Sequence, residues 1–314
     1  MRILLTGGAG FIGSHVLERL LAGRHTVTVV DDLDDYYEPA WKRRNLDEAR
    51  SKGAFELIEA DIRDAAAMGR AFEAARPEAV VHLAARAGVR PSLENPELYQ
   101  SVNVHGTLTL LEECRRRGVA KFVFASSSSV YGDVDRVPFR EDDASIRPAS
   151  PYGVTKLIGE HYCAVWHRLF GLRVSALRFF SVYGPRQRPD MAIHKFARLM
   201  REGRPIPLFG DGSSQRDYTY IDDIVDGVMG ALARDDGFEI YNLGESRTVS
   251  LPEVVTLLEG ALGVKARVDR LPFQAGDVLR TYADVSKARA NLGYAPKVAI
   301  EEGIRRFVEW IKGR

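Results

Sequence analysis

Short apolar runs alternate with helix-forming stretches through the first 180 residues of this chain. The runs fall at 3–5, 27–30, 55–58, 79–82, 122–125 and 174–179, and the spacing predicts helices over 14–22, 41–52, 64–75, 95–117 and 151–170. This alternation predicts an α/β fold of Rossmann type, a doubly wound parallel sheet with ligands at the C-terminal ends of its strands. From Ser181 onward the pattern loosens into turn clusters (Tyr183-Gly184-Pro185 and Phe209-Gly210-Asp211-Gly212), short strands, and helices near 191–202, 222–234, 251–262 and 299–312. The expectation is a sheet region over 1–180 and a smaller α+β lobe over 181–314, with some segments of the lobe returning to the first region. No internal repeat, low-complexity tract or flexible linker separates the two.

The strand ends carry the candidate chemistry. Thr6-Gly7-Gly8-Ala9-Gly10-Phe11-Ile12-Gly13 follows the first apolar run, a helix follows it, and the second run ends on Asp31-Asp32. Strand, glycine turn, helix, strand and acid together are an arrangement that holds a dinucleotide. Gly7 and Gly10 permit a tight turn and a close approach of backbone to pyrophosphate. Gly13 lets the helix lie close to the strand, and the unpaired N–H groups at the helix N-terminus, just after Phe11 and Ile12, suit a phosphate. Asp31 stands where its carboxylate can accept from both adenosine ribose hydroxyls while repelling a 2′-phosphate, which favours NAD over NADP. A glycine-rich turn alone often only closes a corner; the acid at the second strand end makes the dinucleotide reading the stronger. Asp61-Ile62, His82-Leu83-Ala84-Ala85 and the serines at 126–129 also sit at strand ends.

Composition narrows the field. The chain has 314 residues, 45% of them apolar, enough for a large core. Its net charge is +1 with acids and bases interspersed, so it carries no electrostatic footprint for nucleic acid or a membrane surface. Cys114 and Cys163, the only cysteines, form no CxxC, and a reduced cytoplasmic setting is the expectation. The histidines lack ligand spacing, so no metal site is expected, and no apolar run is long enough to span a membrane.

Pro151-Tyr152-Gly153-Val154-Thr155-Lys156 is the second decisive stretch. Ser150 suits an N-cap and Pro151 the first helical position, which puts Tyr152 in the first turn and Lys156 one turn later on the same face. The helix N-terminus and the Lys156 ammonium both favour phenolate, so the expectation is a Tyr152 made basic by its surroundings. Taken alone, a Tyr and a Lys at this spacing are also found on solvated helices, and a run of four serines is equally a plain polar loop.

Taken together, these residues make the chain resemble the extended short-chain dehydrogenase/reductase family, in particular its nucleotide-sugar epimerases. The resemblance covers nearly the whole length: TGGAGFIG at 6–13, HLAA at 82–85, SSSSVYGD at 126–133, YGVTK at 152–156, RFFSVYGP at 178–185, FGDG at 209–212, RDYTYIDD at 216–223 and GDVLRTYAD at 276–284. It implies Ser127 as the catalytic serine, Tyr152 as acid/base and Lys156 as its partner, with bound NAD. It also implies Asp31 on the adenosine ribose, Asp61-Ile62 at the adenine, and Asn103 as a cofactor-proximal asparagine on a helix facing the site. The helices over 95–117 and 151–170 resemble those that pair two subunits, implying a homodimer.

Neighbouring residues discriminate among relatives that share a 4-keto intermediate. Dehydratases of this family carry an Asp-Glu pair just before VYG and decarboxylases a glutamate; here stand Ser128-Ser129, and a hydroxyl cannot replace a carboxylate in proton transfer at C5. Ala87-Gly88-Val89-Arg90, Arg188-Pro189-Asp190-Met191-Ala192 and the DDLDDYY segment at 31–37 look like the 4-epimerases that act on UDP-glucuronate. Ser128, Ser129 and Ser181 would then meet the sugar carboxylate. Arg188 and Arg216 are implied as diphosphate clamps, Phe209 as a stacking partner for uracil and Asp277 as a ribose ligand, each with a plainer reading as surface or core residue. Arg86 and Pro91 depart from the expected AAQAGVRY, and Arg186-Gln187 gives a GPRQ closer to general UDP-glucose epimerases. The alternatives are therefore a UDP-glucose/UDP-galactose 4-epimerase, a UDP-glucuronate decarboxylase, or a silent NAD-binding regulator.

Overall fold

In the computed structural model, which describes residues 1–134, 136–235, 237–272 and 278–314, the apolar runs become the strands of one parallel sheet. β1 (Arg2–Thr6), α1 (Phe11–Ala22), β2 (Thr26–Asp31), α2 (Pro39–Arg50), β3 (Glu56–Glu59) and α3 (Ala65–Ala75) form the first half. β4 (Ala79–His82) returns to the other side of β1, followed by α4 (Val89–Glu94), α5 (Pro96–Tyr99) and α6 (Gly106–Arg117). β5 (Lys121–Ser127), α7 (Pro151–Phe170) and β6 (Arg173–Phe179) complete the run. Strands β1, β4 and β5 are buried almost throughout, as befits a sheet covered by helices on both faces.

The helix expected over 95–117 runs from Pro96 to Arg117 without a break, but its winding changes along the way. Asn95 sits at φ −140° because the residue before a proline is pushed out of the helical region, and its side chain caps Leu98 N–H at 3.1 Å. A π-helical turn over Gln100–His105 then precedes α6.

Beyond β6 come β7 (Ser181–Tyr183), α8 (Ala192–Arg201), β8 (Ile206–Phe209), β9 (Gln215–Tyr220), α9 (Ile221–Ala233) and β10 (Phe238–Leu243). β11 (Thr248–Ser250), α10 (Leu251–Leu262), β12 (Val268–Leu271), α11 (Ser286–Leu292) and α12 (Ile300–Lys312) follow. Two small sheets, β11-β9-β7 and β12-β8, stand apart from the main one. β10 instead pairs with β6, giving a seven-stranded order β10-β6-β5-β4-β1-β2-β3. The order reverses between β1 and β4, and the crevice at such a reversal is where doubly wound sheets bind ligands.

Candidate active site

A cleft of about 630 Å³ opens over the C-terminal strand ends. One wall is the turn after β1. Gly7 has φ +73°, and a Cβ there would lie 2.6 Å from the Ala84 backbone nitrogen; one on Gly13 would lie 2.0 Å from the Gly7 carbonyl oxygen. Glycine is thus required at both positions. Gly10 N-caps α1 without any side-chain cap, and no acid occupies the first turn, so the N–H groups at the start of the helix face the cleft beside Phe11 and Ile12. Asp31 is buried at the end of β2, one oxygen accepting from Ala9 N–H and the other from Leu33 N–H, both at 3.0 Å. Each oxygen keeps a lone pair for a ligand hydroxyl. The Tyr37 hydroxyl, also in this wall, is buried with no hydrogen-bond partner among the described residues. A glycine cradle, an uncapped helix start, a buried acid and an orphaned hydroxyl fit a dinucleotide.

Asp32, Ile62, Leu83, Ala84 and Ala85 line the same cleft. Asp61 does not: its carboxylate is held by Arg63, which faces the cleft in its place. Asn103 is likewise displaced from its expected role. It is buried behind the wall, accepting from Arg86 N–H at 2.8 Å and donating to Arg86 C=O at 2.9 Å and to the Thr155 hydroxyl at 3.0 Å. It therefore ties the loop after β4 to the helix that carries Tyr152, as a positioning residue.

The opposite wall holds the three residues expected to be catalytic. Ser127 ends β5, with its hydroxyl accepting from Ser129 N–H at 3.1 Å. Ser150 caps α7 by accepting from Gly153 N–H at 3.2 Å, and Tyr152 and Lys156 project from that helix into the cleft. Lys156 donates to the Ala125 carbonyl at 2.8 Å, with its ammonium 6.0 Å from the Tyr152 ring centroid. Burial lowers the Lys156 pKa to about 8, against the opposing pull of Cys163 and Glu160. The expectation of a lowered Tyr152 pKa is corrected. Burial pushes the phenol up, and a hydrogen bond with Ser127 and the charge of Arg188 only partly oppose it. Lys156 spends its proton on a carbonyl, so it cannot donate that one to the phenol.

Ser128, Ser129, Ser181, Arg90 and Arg188 also line the cleft. Arg188 grips Asp190 with two nitrogens at 3.0 and 2.8 Å. Arg216, on β9, donates to the Gln215 and Leu279 carbonyls. Phe209 ends β8 beside the cleft residue Arg90, whose guanidinium lies 4.6 Å from its ring centroid. Asp277 lies outside the described residues. Sequence reasoning missed Tyr36, Tyr37, Lys42, Arg63 and Arg86 as lining residues. The acidic-aromatic run at 31–37 was the one signal for the first two.

A family model described as the NAD dependent epimerase/dehydratase family matches residues 3–244. The UDP-glucuronate 4-epimerase of Thermodesulfobacterium geofontis is 44% identical over 98% of this chain and 95% of its own. The crystal structure of UDP-glucuronic acid 4-epimerase from Bacillus cereus, in complex with UDP-glucuronic acid and NAD, superposes with a TM-score of 0.93 at 38% identity, covering 100% of this chain and 99% of that one. The UDP-glucose 4-epimerase of Thermotoga maritima with UDP-glucose gives 0.92 at 36%, with coverage of 100% and 99%.

Proposed function

The chain belongs to the NAD dependent epimerase/dehydratase family, and from that premise we propose that it is an NAD-dependent 4-epimerase interconverting UDP-glucuronate and UDP-galacturonate. The observation that carries this reading is the catalytic end of the cleft, where Ser127, Tyr152 and Lys156 stand beside two serines, not carboxylates. Tyr152 takes the proton of the sugar 4-hydroxyl while Ser127 hydrogen-bonds the same oxygen. When bound, NAD supplies the hydride acceptor for C4 and a positive charge beside the phenol. The planar 4-keto sugar turns over in the cleft, C4 takes the same hydride back on its opposite face, and Tyr152 returns the proton to the 4-oxygen. Ser128, Ser129 and Ser181 hold the sugar carboxylate by neutral hydrogen bonds near the ring plane, which disfavours loss of CO₂ from a β-keto acid. Arg90, stacked on Phe209, offers a cation to the nucleotide end of the substrate.

The GPRQ segment is the feature that favours a UDP-glucose/UDP-galactose 4-epimerase instead. Its side chains, however, face away from the cleft. Arg186 binds Glu18 and Glu48, and Gln187 donates to the Val182 carbonyl at 3.1 Å. The motif anchors a loop to α1 and α2 and bears weakly on sugar choice.

Purified protein given UDP-glucuronate and no added cofactor should form UDP-galacturonate, and faster than it converts UDP-glucose at equal concentration. UDP-xylose as product would mean a decarboxylase, and preference for UDP-glucose the second reading. Tyr152→Phe should lower turnover by about 10²–10⁴-fold while leaving NAD bound; full turnover would refute the mechanism. Two further readings accompany this one. Unpaired buried Cys114 and Cys163 support a cytoplasmic setting. Exposed Leu93, Val154, Leu169 and Phe170 on α4 and α7 support a homodimer, which a monomer mass in light scattering would overturn.

A further inference from the structure

Three loops that are remote in sequence meet in the lining of the cleft. The loop after β2 brings Asp34 and Tyr36, the loop after β4 brings Arg86, and the loop after β7 brings Arg188 and Asp190. Arg86 forms an ion pair with Asp34 at 2.8 Å, with both side chains mostly shielded from solvent. Its guanidinium lies 5.2 Å from the Tyr36 ring centroid, and that of Arg188 lies at the same distance. The Tyr36 hydroxyl donates to Asp190 at 3.3 Å. Each loop is thus fastened to the next by a charged or cation–π contact. The Arg86 backbone is itself fixed through Asn103, so the guanidinium projects from a rigid base.

We infer that Arg86, Asp34 and Tyr36 form a strap across the cleft that sets how slowly the dinucleotide leaves. This rests on the NAD-binding reading above but not on which sugar is turned over. An epimerase regenerates its cofactor in every cycle, so release serves no catalytic purpose. A dinucleotide seated between the glycine turn and Tyr152 lies beneath these loops, and the Arg86–Asp34 pair must part for it to escape. Arg86 is also where this chain departs from the glutamine of the motif it resembles. A glutamine would keep a hydrogen-bonding group but lose both the charge for Asp34 and the planar cation over Tyr36.

The test is exchange of radiolabelled NAD from the holo-protein against excess unlabelled NAD. Arg86→Gln and Asp34→Asn should each speed exchange about tenfold, and the double variant should be no faster than Arg86→Gln alone, because either single change already removes the ion pair. Arg86→Lys, which keeps the ion pair, should stay within about threefold of the natural protein. Raised salt should speed exchange in the natural protein but not in Arg86→Gln. Unchanged exchange in both single variants, additive effects in the double, or Arg86→Lys as fast as Arg86→Gln would overturn the strap. Protein that neither carries nor takes up NAD would overturn the cofactor reading with it.

Discussion

His82 shows how much a single side chain at a strand end can constrain. Thr107 gives its one hydroxyl proton to the Asn103 carbonyl at 2.6 Å, so toward His82 it can only accept. Nε2 of His82 therefore carries the proton, and Nδ1 accepts from the Thr6 hydroxyl at 2.7 Å. The ring is satisfied only when neutral. Burial, aided by the Lys156 charge, lowers its pKa from 6.5 to about 3, and burial with Arg186 lowers that of His15 to about 4. The unfolded chain binds more protons than the native one through this window, so stability falls as pH drops below 6.5. His82 alone should cost about 2.5–3 kcal/mol near pH ~4.5. Urea unfolding at neutral and acidic pH should show that loss, and His82→Gln should flatten it; a pH-independent stability would contradict the assignment. The identities of Ser127, Tyr152, Lys156, Asp31 and the glycines were legible in the sequence because each is a residue type that its local motif demands. The tie made by Asn103 and the stacking of Phe209 on Arg90 were not, because they depend on contacts between segments far apart in the chain. The pairing of Asp61 with Arg63 is local, but a strand-end acid by itself does not say which neighbour its carboxylate turns to.

At the scale of elements, α7 carries the reaction and must lie close on the sheet. A Cβ on Gly159 would meet the Phe124 ring at 2.4 Å, so the helix uses glycine to approach β5. At the very next residue, Glu160 binds Arg178 of β6 by two hydrogen bonds at 2.9 and 2.7 Å and also accepts from Ser126 of β5. Both charged side chains are almost fully buried. Removing one partner strands the other charge, so Glu160→Ala should cost about 3–5 kcal/mol and lower Tm measured by circular dichroism. Replacing Glu160 and Arg178 together by apolar residues should recover much of it; equal losses in the single and double variants would contradict this account. The span of α7 was legible to the residue, since Ser150, Pro151 and Gly171 mark both its ends. The change of winding within 95–117 was not. Apolar periodicity is blind to a single residue added in a π turn.

Across the whole molecule, the reversal of strand order between β1 and β4 was implied by the alternation of strands and helices, and the cleft lies where that reversal requires. The small sheets were not foreseen strand by strand, since strands such as Ser181–Tyr183 and Thr248–Ser250 are too brief for periodicity to register. β10 is the long-range exception, because the chain leaves the main sheet at Phe179 and re-enters it at Phe238. Between those points it lays down β7, α8, β8, β9 and α9. During synthesis, then, β6 waits with one flank bare while nearly sixty residues are made. An unpaired edge is a template for any passing strand. The nascent protein is most open to mispairing with its neighbours on the same message in that interval, and it closes only when Leu243 has cleared the ribosome.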